Sequence, residues 1–309
     1  MGSWASSALV VANERAGTAS TELIDSVVRQ CAQVIDDVTL SRTAYRGHAT
    51  ELAAKAAGDR IDTVVVVGGD GTTSEAVNGL LKVPAEMQPV LINIPAGTGN
   101  SFYREIWRDR PWQQALDIAF GSAEPRVRRL DMMRVAETGD LVILGACSGL
   151  VAEALTVAAG ITDTAGRERY QRAVALTLQN FTPHPGRVTV DGDVVHDGSV
   201  VFANVGGGRY RGGQFKVLPH SVLDDGLLDV CVVGGQLDLR ELPGLTRDGS
   251  HLAHPAVTYR RGRRIVIERT DGKPLTFEWD GEARDSTRTS YTLEILPGVL
   301  SVLAPPEPA

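Results

Sequence analysis

Thr63-Val64-Val65-Val66-Val67-Gly68-Gly69-Asp70-Gly71-Thr72-Thr73 is the stretch on which the fold turns. Residues 63–67 form a continuous β-branched run, the mark of a strand buried on both faces. Glycines end it, and a helical stretch follows over 73–81. Glycines let backbone N–H groups approach an anion closely, and a helix start adds positive potential. The same rhythm extends outward. Residues 8–12 read as a strand, and 20–36 as a helix through Leu23, Val27, Cys31 and Val34. Residues 38–40 read as a short strand, 48–57 as an Ala-rich helix and 90–94 as another buried strand. This alternation predicts a parallel sheet with helices on both faces, in which ligands bind beyond the carboxyl ends of the strands.

A second glycine loop, Pro95-Ala96-Gly97-Thr98-Gly99-Asn100, follows the strand over 90–94. Two anion-ready loops at neighbouring strand ends can cradle a polyphosphate from two sides. Neither is a Walker A sequence, since no Gly-Lys-Ser/Thr follows. Neither is a dinucleotide fingerprint, since Phe102 stands where the third glycine belongs. Thr72 and Thr73 can cap the helix or bond a phosphate oxygen. Asp70 is the odd member, because a carboxylate in a phosphate loop repels phosphate unless a cation intervenes. It reads as a Mg²⁺ ligand, direct or through water, or as a turn residue bonding its own backbone.

After about residue 126 the rhythm changes. Strands are expected over 188–190, 200–205, 227–233, 264–268 and 275–279, with Asp191-Gly192 and Asp271-Gly272 suiting tight hairpins. Helical stretches over 151–159 and 167–178 interrupt them. The expected organisation is an α/β domain over 1–126 and a β-rich antiparallel domain over 127–295, with 296–309 completing the first. Gly206-Gly207-Gly208-Arg209-Tyr210-Arg211-Gly212-Gly213 reads as a basic cleft wall, an anionic-lipid contact or a flexible loop. Arg104 reads equally as a phosphate contact or a helix cap.

Composition narrows the functional classes. The 309 residues carry 31 Lys+Arg against 38 Asp+Glu, a net charge of −7, which argues against nucleic acid as a main partner. Cys31, Cys147 and Cys231 are widely spaced in apolar segments, as expected of reduced, buried thiols in a cytoplasmic protein rather than a disulfide framework. The most membrane-like window, 141–161, is broken by Gly145, Ser148, Gly149, Glu153 and Gly160, and reads as a buried strand turning into a helix.

Taken in order, Gly68-Gly69-Asp70-Gly71-Thr72-x-x-Glu75-x-x-Asn78-Gly79-Leu80 closely resembles the nucleotide-binding motif of the diacylglycerol kinase catalytic-domain family, which includes soluble bacterial lipid kinases, sphingosine kinases and ceramide kinases. The resemblance continues at 95–104, at Ala203-Asn204 through Gly212-Gly213, at Asp225-Gly226-Leu227-Leu228-Asp229-Val230, at Asp280-Gly281-Glu282 and at Leu296-Pro297-Gly298. It implies a two-domain fold with the nucleotide in the interdomain cleft, ATP as phosphoryl donor, Mg²⁺ as cofactor and a lipid alcohol as acceptor. It places Asn13, Thr43, Gly69, Asp70, Gly71, Thr72, Thr73, Ser74, Glu75 and Thr98 at nucleotide contacts. Glu282 falls on the catalytic base, with Asp280 beside it. Asp70 and Asp131 fall on positions that organise the catalytic Mg²⁺. Asp225, with the carbonyls of Val222 and Leu227, falls on a second magnesium site.

One departure stands out. Many soluble bacterial members carry Asn-Asp-Phe-Ala-Arg after the second loop, whereas this chain has Asn100-Ser101-Phe102-Tyr103-Arg104. Sphingosine-type members also lack that Asp. The expected partner is a lipid substrate at a membrane surface, met by a cytoplasmic protein that is at most peripheral there; a homodimer is left open. An apolar pocket is expected in the β-rich domain, with 151–161 and 176–181 as walls. The alternatives are a kinase of a soluble alcohol such as NAD, whose kinases share the Gly-Gly-Asp-Gly loop, and a non-catalytic nucleotide- or lipid-binding relative.

Overall fold

The β-branched run is a strand with every residue buried, flanked on each side by a parallel neighbour. The computed structural model describes residues 4–121, 124–164, 166–212, 214–284 and 287–306. The chain divides into two units, Met1–Leu130 with Gly298–Ala309, and Asp131–Pro297.

In the first unit β1 (Ser7–Ala12), β2 (Asp37–Arg42), β3 (Thr63–Gly68) and β4 (Val90–Pro95) pair in the order β2-β1-β3-β4, all parallel. The helices are α1 (Thr21–Ala32), α2 (His48–Gly58), α3 (Asp70–Leu80), α4 (Ser101–Trp107) and α5 (Trp112–Phe120). Ser20 opens α1 by accepting the Leu23 N–H at 3.1 Å. The helix after β3 begins at Asp70 rather than at 73, because Gly69 is extended (φ −90°, ψ −175°) and serves as its N-cap. Asp70 therefore lies in the first helical turn rather than in a loose loop.

The second unit is built from antiparallel strands. In chain order they are β5 (Val127–Val135), β6 (Leu141–Val142), β7 (Ala146–Gly149), β8 (His184–Val190), β9 (Asp193–Gly206), β10 (Tyr210–Arg211), β11 (Phe215–Lys216) and β12 (Leu228–Gly234). Then follow β13 (Val257–Gly262), β14 (Arg264–Arg269), β15 (Phe277–Trp279), β16 (Glu282–Arg284) and β17 (Ser290–Leu303). Its helices are α6 (Leu150–Ala159), α7 (Gly166–Asn180) and α8 (Leu242–Asp248). The sheet runs β16-β15-β7-β9-β8-β14-β17, with β12 joining β9 to β13. One core cluster gathers Val188, Val205, Phe277 and Tyr291. Another gathers Cys147, Phe202 and Cys231, with Val151, Leu178 and Phe181 packed against it. β5 begins in the first unit and ends in the second, and β17 makes the opposite crossing: its early residues pair with β14, and Val302 pairs with Leu91 of β4 in parallel.

The turn signals fared unequally. Asp191-Gly192 joins β8 to β9 with positive φ at both residues (49° and 97°), as a two-residue hairpin requires. Asp271-Gly272 turns the chain without making a hairpin, since β14 pairs with β8 and β17, and β15 with β7 and β16. The hairpin dipeptide is Asp280-Gly281. An Asp-Gly pair specifies a local backbone path; which strands pair beyond it depends on the register of the whole sheet. The three cysteines are free and buried. Among the described residues, no helix is long and apolar enough to cross a membrane.

Candidate functional site

In the first unit the candidate nucleotide contacts gather beyond the carboxyl ends of all four parallel strands. Asn13 follows β1, Thr43 follows β2, Gly69 to Glu75 follow β3, and Thr98 follows β4. The Asn13 side chain donates to the Thr72 hydroxyl at 2.9 Å, and the Thr43 N–H donates to the Ala12 carbonyl at 2.8 Å. Asn100 closes the second loop on itself. Its side chain accepts the Gly97 N–H and donates to the Gly97 carbonyl, both at 2.8 Å.

The two glycine loops touch backbone to backbone. A side chain on Gly97 would run into the Gly69 backbone. Asp70 locks this contact: its carboxylate accepts the N–H groups of Ser101 and Phe102, each at 3.0 Å. Both readings of Asp70 thus gain a third element, since it caps the helix that follows the other loop. No side chain caps α3 itself. The start of α3, with its positive dipole end beside the two loops, suits an anion.

Not every expected contact faces that way. Thr73 is fully buried, and its hydroxyl donates back to the Gly69 carbonyl at 3.2 Å. The Glu75 carboxylate accepts the Ala49 N–H at 3.3 Å at the start of α2, and its carbonyl accepts the Thr50 hydroxyl at 2.8 Å. Both hold α3 in place. Gly71 and Thr98 are exposed, and Ser74 is half-buried. Arg104, in the last turn of α4, pairs with Asp109 at 3.4 Å.

In the second unit, Asp280-Gly281 forms the turn between β15 and β16. Asp280 and Glu282 do different work there. The Asp280 carboxylate accepts the N–H groups of Ile143 at 3.1 Å, Leu144 at 2.9 Å and Gly145 at 3.4 Å. It anchors the turn and is committed to that task. Glu282 starts β16 with its side chain 46% exposed and paired with Arg284 at 3.3 Å. The Arg284 guanidinium lies 4.1 Å from the Trp279 ring centre. Of the pair named from sequence, Glu282 is the one with a largely exposed carboxylate.

The two magnesium assignments separate on the same kind of evidence. Asp70 is held in one direction by two N–H donors, and Asp131 by the Gly226 N–H at 2.6 Å. Carboxylates fixed in this way suit a cation bound together with substrate phosphates. Ser101 is buried and adds no second negative charge beside Asp70. Asp225 does not fit its assignment. One of its oxygens accepts the Leu227 N–H at 3.1 Å, and the other is paired with Arg261. Arg261 also lies 3.4 Å from the buried Asp229, which accepts the Tyr259 hydroxyl at 2.7 Å. A guanidinium therefore meets the charge that a second Mg²⁺ would have met. Arg261→Met is expected to lower the unfolding free energy by about 1–2 kcal/mol, a figure discounted for the pair's partial exposure. Urea unfolding measures it, and an unmoved midpoint would mean that Asp225 and Asp229 have another counter-charge.

The sequence does not single out Glu278 or Arg261, and it offers Arg211 only within a basic, glycine-dense stretch. Glu278 stands between Phe277 and Trp279, where alternation reads as a polar outer face. It is 3% exposed. Burial pushes its carboxyl up to about 7, although the Gly281 N–H and the Arg211 guanidinium oppose the shift. The glycine-dense stretch is a setting for Arg211, which donates to the carbonyls of Val205, Gly208 and Tyr210 at 3.1, 3.3 and 2.9 Å. Gly213 lies outside the described residues.

Comparison with known proteins covers nearly the whole chain. The family model of the diacylglycerol kinase catalytic domain matches residues 7–135, and that of the YegS C-terminal NAD kinase beta sandwich-like domain matches residues 145–304. A Xanthomonas campestris pv. campestris protein named "Probable lipid kinase YegS-like" is 31% identical over 253 residues, covering 79% of this chain and 80% of that protein. A protein of the same name from Chromohalobacter salexigens is 28% identical, with 84% and 81% covered. The diacylglycerol kinase of Staphylococcus carnosus is 24% identical, with 86% of each covered. A solved structure of a diacylglycerol kinase from Bacillus anthracis shares the fold, with a TM-score of 0.75 over 98% of both chains at 22% identity.

Proposed function

Because the chain belongs to the diacylglycerol kinase catalytic-domain family, that of the YegS-like lipid kinases, we propose that it transfers the γ-phosphoryl group of ATP to the hydroxyl of a lipid alcohol, with Mg²⁺ as cofactor. The observation that carries the phosphoryl-transfer half is the pair of glycine loops at adjacent strand tips, locked together by Asp70. The names of the relatives support a lipid as the acceptor.

In this reading the N–H groups of the two loops and the start of α3 hold the donor phosphates. Asp70 and Asp131 would hold the cation, which neutralises charge on the phosphates when bound. The acceptor hydroxyl attacks the γ-phosphorus, a P–O bond forms to it, and the bond to the β-bridging oxygen breaks to release ADP. Glu282 takes the hydroxyl proton, a step worth about 10²–10⁴-fold in rate. Asp280 keeps its carboxylate on the N–H groups of residues 143–145 and holds the turn. The protein meets its acceptor at a membrane surface.

The test is incubation with γ-labelled ATP and Mg²⁺, offering a bacterial total lipid extract in detergent micelles in one arm and NAD in the other. The expected result is label in the organic phase, with the phosphorylated lipid identified by mass spectrometry. Label on NAD alone would replace the reading with a soluble-alcohol kinase, and no transfer in either arm would leave a nucleotide or lipid binder.

A further inference from the structure

We infer that Glu278 is a positioning residue: it holds the Asp280-Gly281-Glu282 turn in the form that presents Glu282. The inference rests on the reading of Glu282 as the base.

The turn is held from both sides as well as by its own Asp-Gly sequence. Asp280 and Gly281 both have positive φ, 51° and 81°. For a residue with a side chain that conformation is less favourable than for glycine, so contacts that fix it matter. Asp280 anchors one side through the N–H groups of residues 143–145. Glu278 anchors the other, its carboxylate accepting the Gly281 N–H at 3.0 Å. Glu282 follows directly, so its direction depends on both anchors.

A carboxylate buried in a strand is costly, and a neutral side chain of the same shape would avoid that cost. Its presence beside the candidate base therefore calls for a role. After burial and the Gly281 N–H, Arg211 acts on it most strongly, ahead of Asp280 and Arg284. The Arg211 guanidinium is lodged between Gly145 and Gly206, where a side chain on either would collide with it. Arg284, the other cation that acts on Glu278, does so less strongly than Arg211 and also pairs with Glu282. Cys147, its register partner on β7, and Tyr170 on α7 are both pushed up by burial and stay neutral. α6, which also packs on β15, contributes Glu153, whose charge partner is Arg269. Protonating Glu278 therefore weakens its hold on Gly281 and removes its attraction to Arg211.

The sign of the pH effect follows. Glu278 binds its proton more tightly when folded, at about 7 against an ordinary 4.5. The stability it contributes is present below 4.5 and is lost as pH rises through about 7. Activity runs the other way, because the ionised form holds the turn.

The test uses the full chain, γ-labelled ATP and the total lipid extract in micelles. Wild type is expected to show an acidic limb in kcat with its midpoint near 7 and a flat KM for ATP. Glu278→Gln keeps an acceptor for Gly281 but not the charge. It should lose about tenfold or more in kcat, lose that limb, and melt higher than wild type above neutrality. Arg211→Gln should move the midpoint upward, since removing a cation disfavours the carboxylate. A purely structural role would lower kcat and leave the limb in place; a Gln variant with the wild-type limb overturns the inference. Amide exchange at Gly281 reads the same contact without any acceptor: it should be slow in wild type at alkaline pH and fast in Glu278→Ala, and equal rates overturn the inference even if no kinase activity is found. Full activity of Glu282→Gln, by contrast, removes the base reading and leaves the Gly281 contact to be judged by exchange alone.

Discussion

Glu282→Gln is expected to lower phosphoryl transfer by about 10²–10⁴-fold while ATP binds as before. The amide is close to the carboxylate in shape but cannot take a proton from the attacking hydroxyl. Structural damage should be small. Glu282 is exposed at the start of an edge hairpin, and its ion pair with Arg284 is partly solvated. Such surface changes usually stay within about 0.5 kcal/mol. Single-turnover transfer to lipid, set beside calorimetric ATP affinity and urea unfolding, separates chemistry from binding and from folding. A variant that turns over at the wild-type rate would return Glu282 to an ordinary hairpin acid and leave the reaction without a base in this turn.

Asp70→Asn should be the other severe change, by a different route. Both carboxylate oxygens of Asp70 accept N–H groups, from Ser101 and Phe102. Asparagine offers one acceptor and turns an NH₂ towards the second N–H. Leaving that donor unmet costs about 1–3 kcal/mol, paid at the contact where Gly69 and Gly97 meet. The two loops then no longer fix each other, and a displacement of about 1 Å in the phosphate donors costs on the order of 10²-fold in kcat/KM. The substitution also removes a charge that would hold the cation. Two readouts decide the matter: the urea midpoint, expected to fall, and kcat/KM for ATP across a Mg²⁺ titration, expected to stay low at saturating Mg²⁺. An unmoved midpoint with full rescue by Mg²⁺ would mean that Asp70 acts through the cation alone.

These two residues differ in how readily they could be read. Glu282 stood in a motif, and its bland reading as an exposed acid after a hairpin turn describes its surroundings correctly. Asp70 was equally conspicuous, yet its bonds reach residues 31 and 32 positions away in the chain. No local pattern reveals which distant N–H groups a carboxylate will find. The same holds for Asp225, which lies near an Arg that is 36 positions away. A motif around residue 225 says nothing of a guanidinium that the fold brings to it from β13.

The alternation of buried β-branched runs with amphipathic stretches, the glycine breaks after residues 67 and 95, and the Asp-Gly turn chemistry are local properties, set by burial period and by allowed φ and ψ. They were enough to determine the parallel first unit, the antiparallel second unit and the two glycine loops beyond the strand tips. Pairing across the sheet decided everything else. Glu278 looks like an outward residue in a strand that alternates, and it is buried because helices cover the face it points to. Asp280 and Glu282, two positions apart, part company because one faces the N–H groups of residues 143–145 and the other faces solvent. A side chain's protonation and its partners follow from what packs around it, and packing is a property of the folded chain.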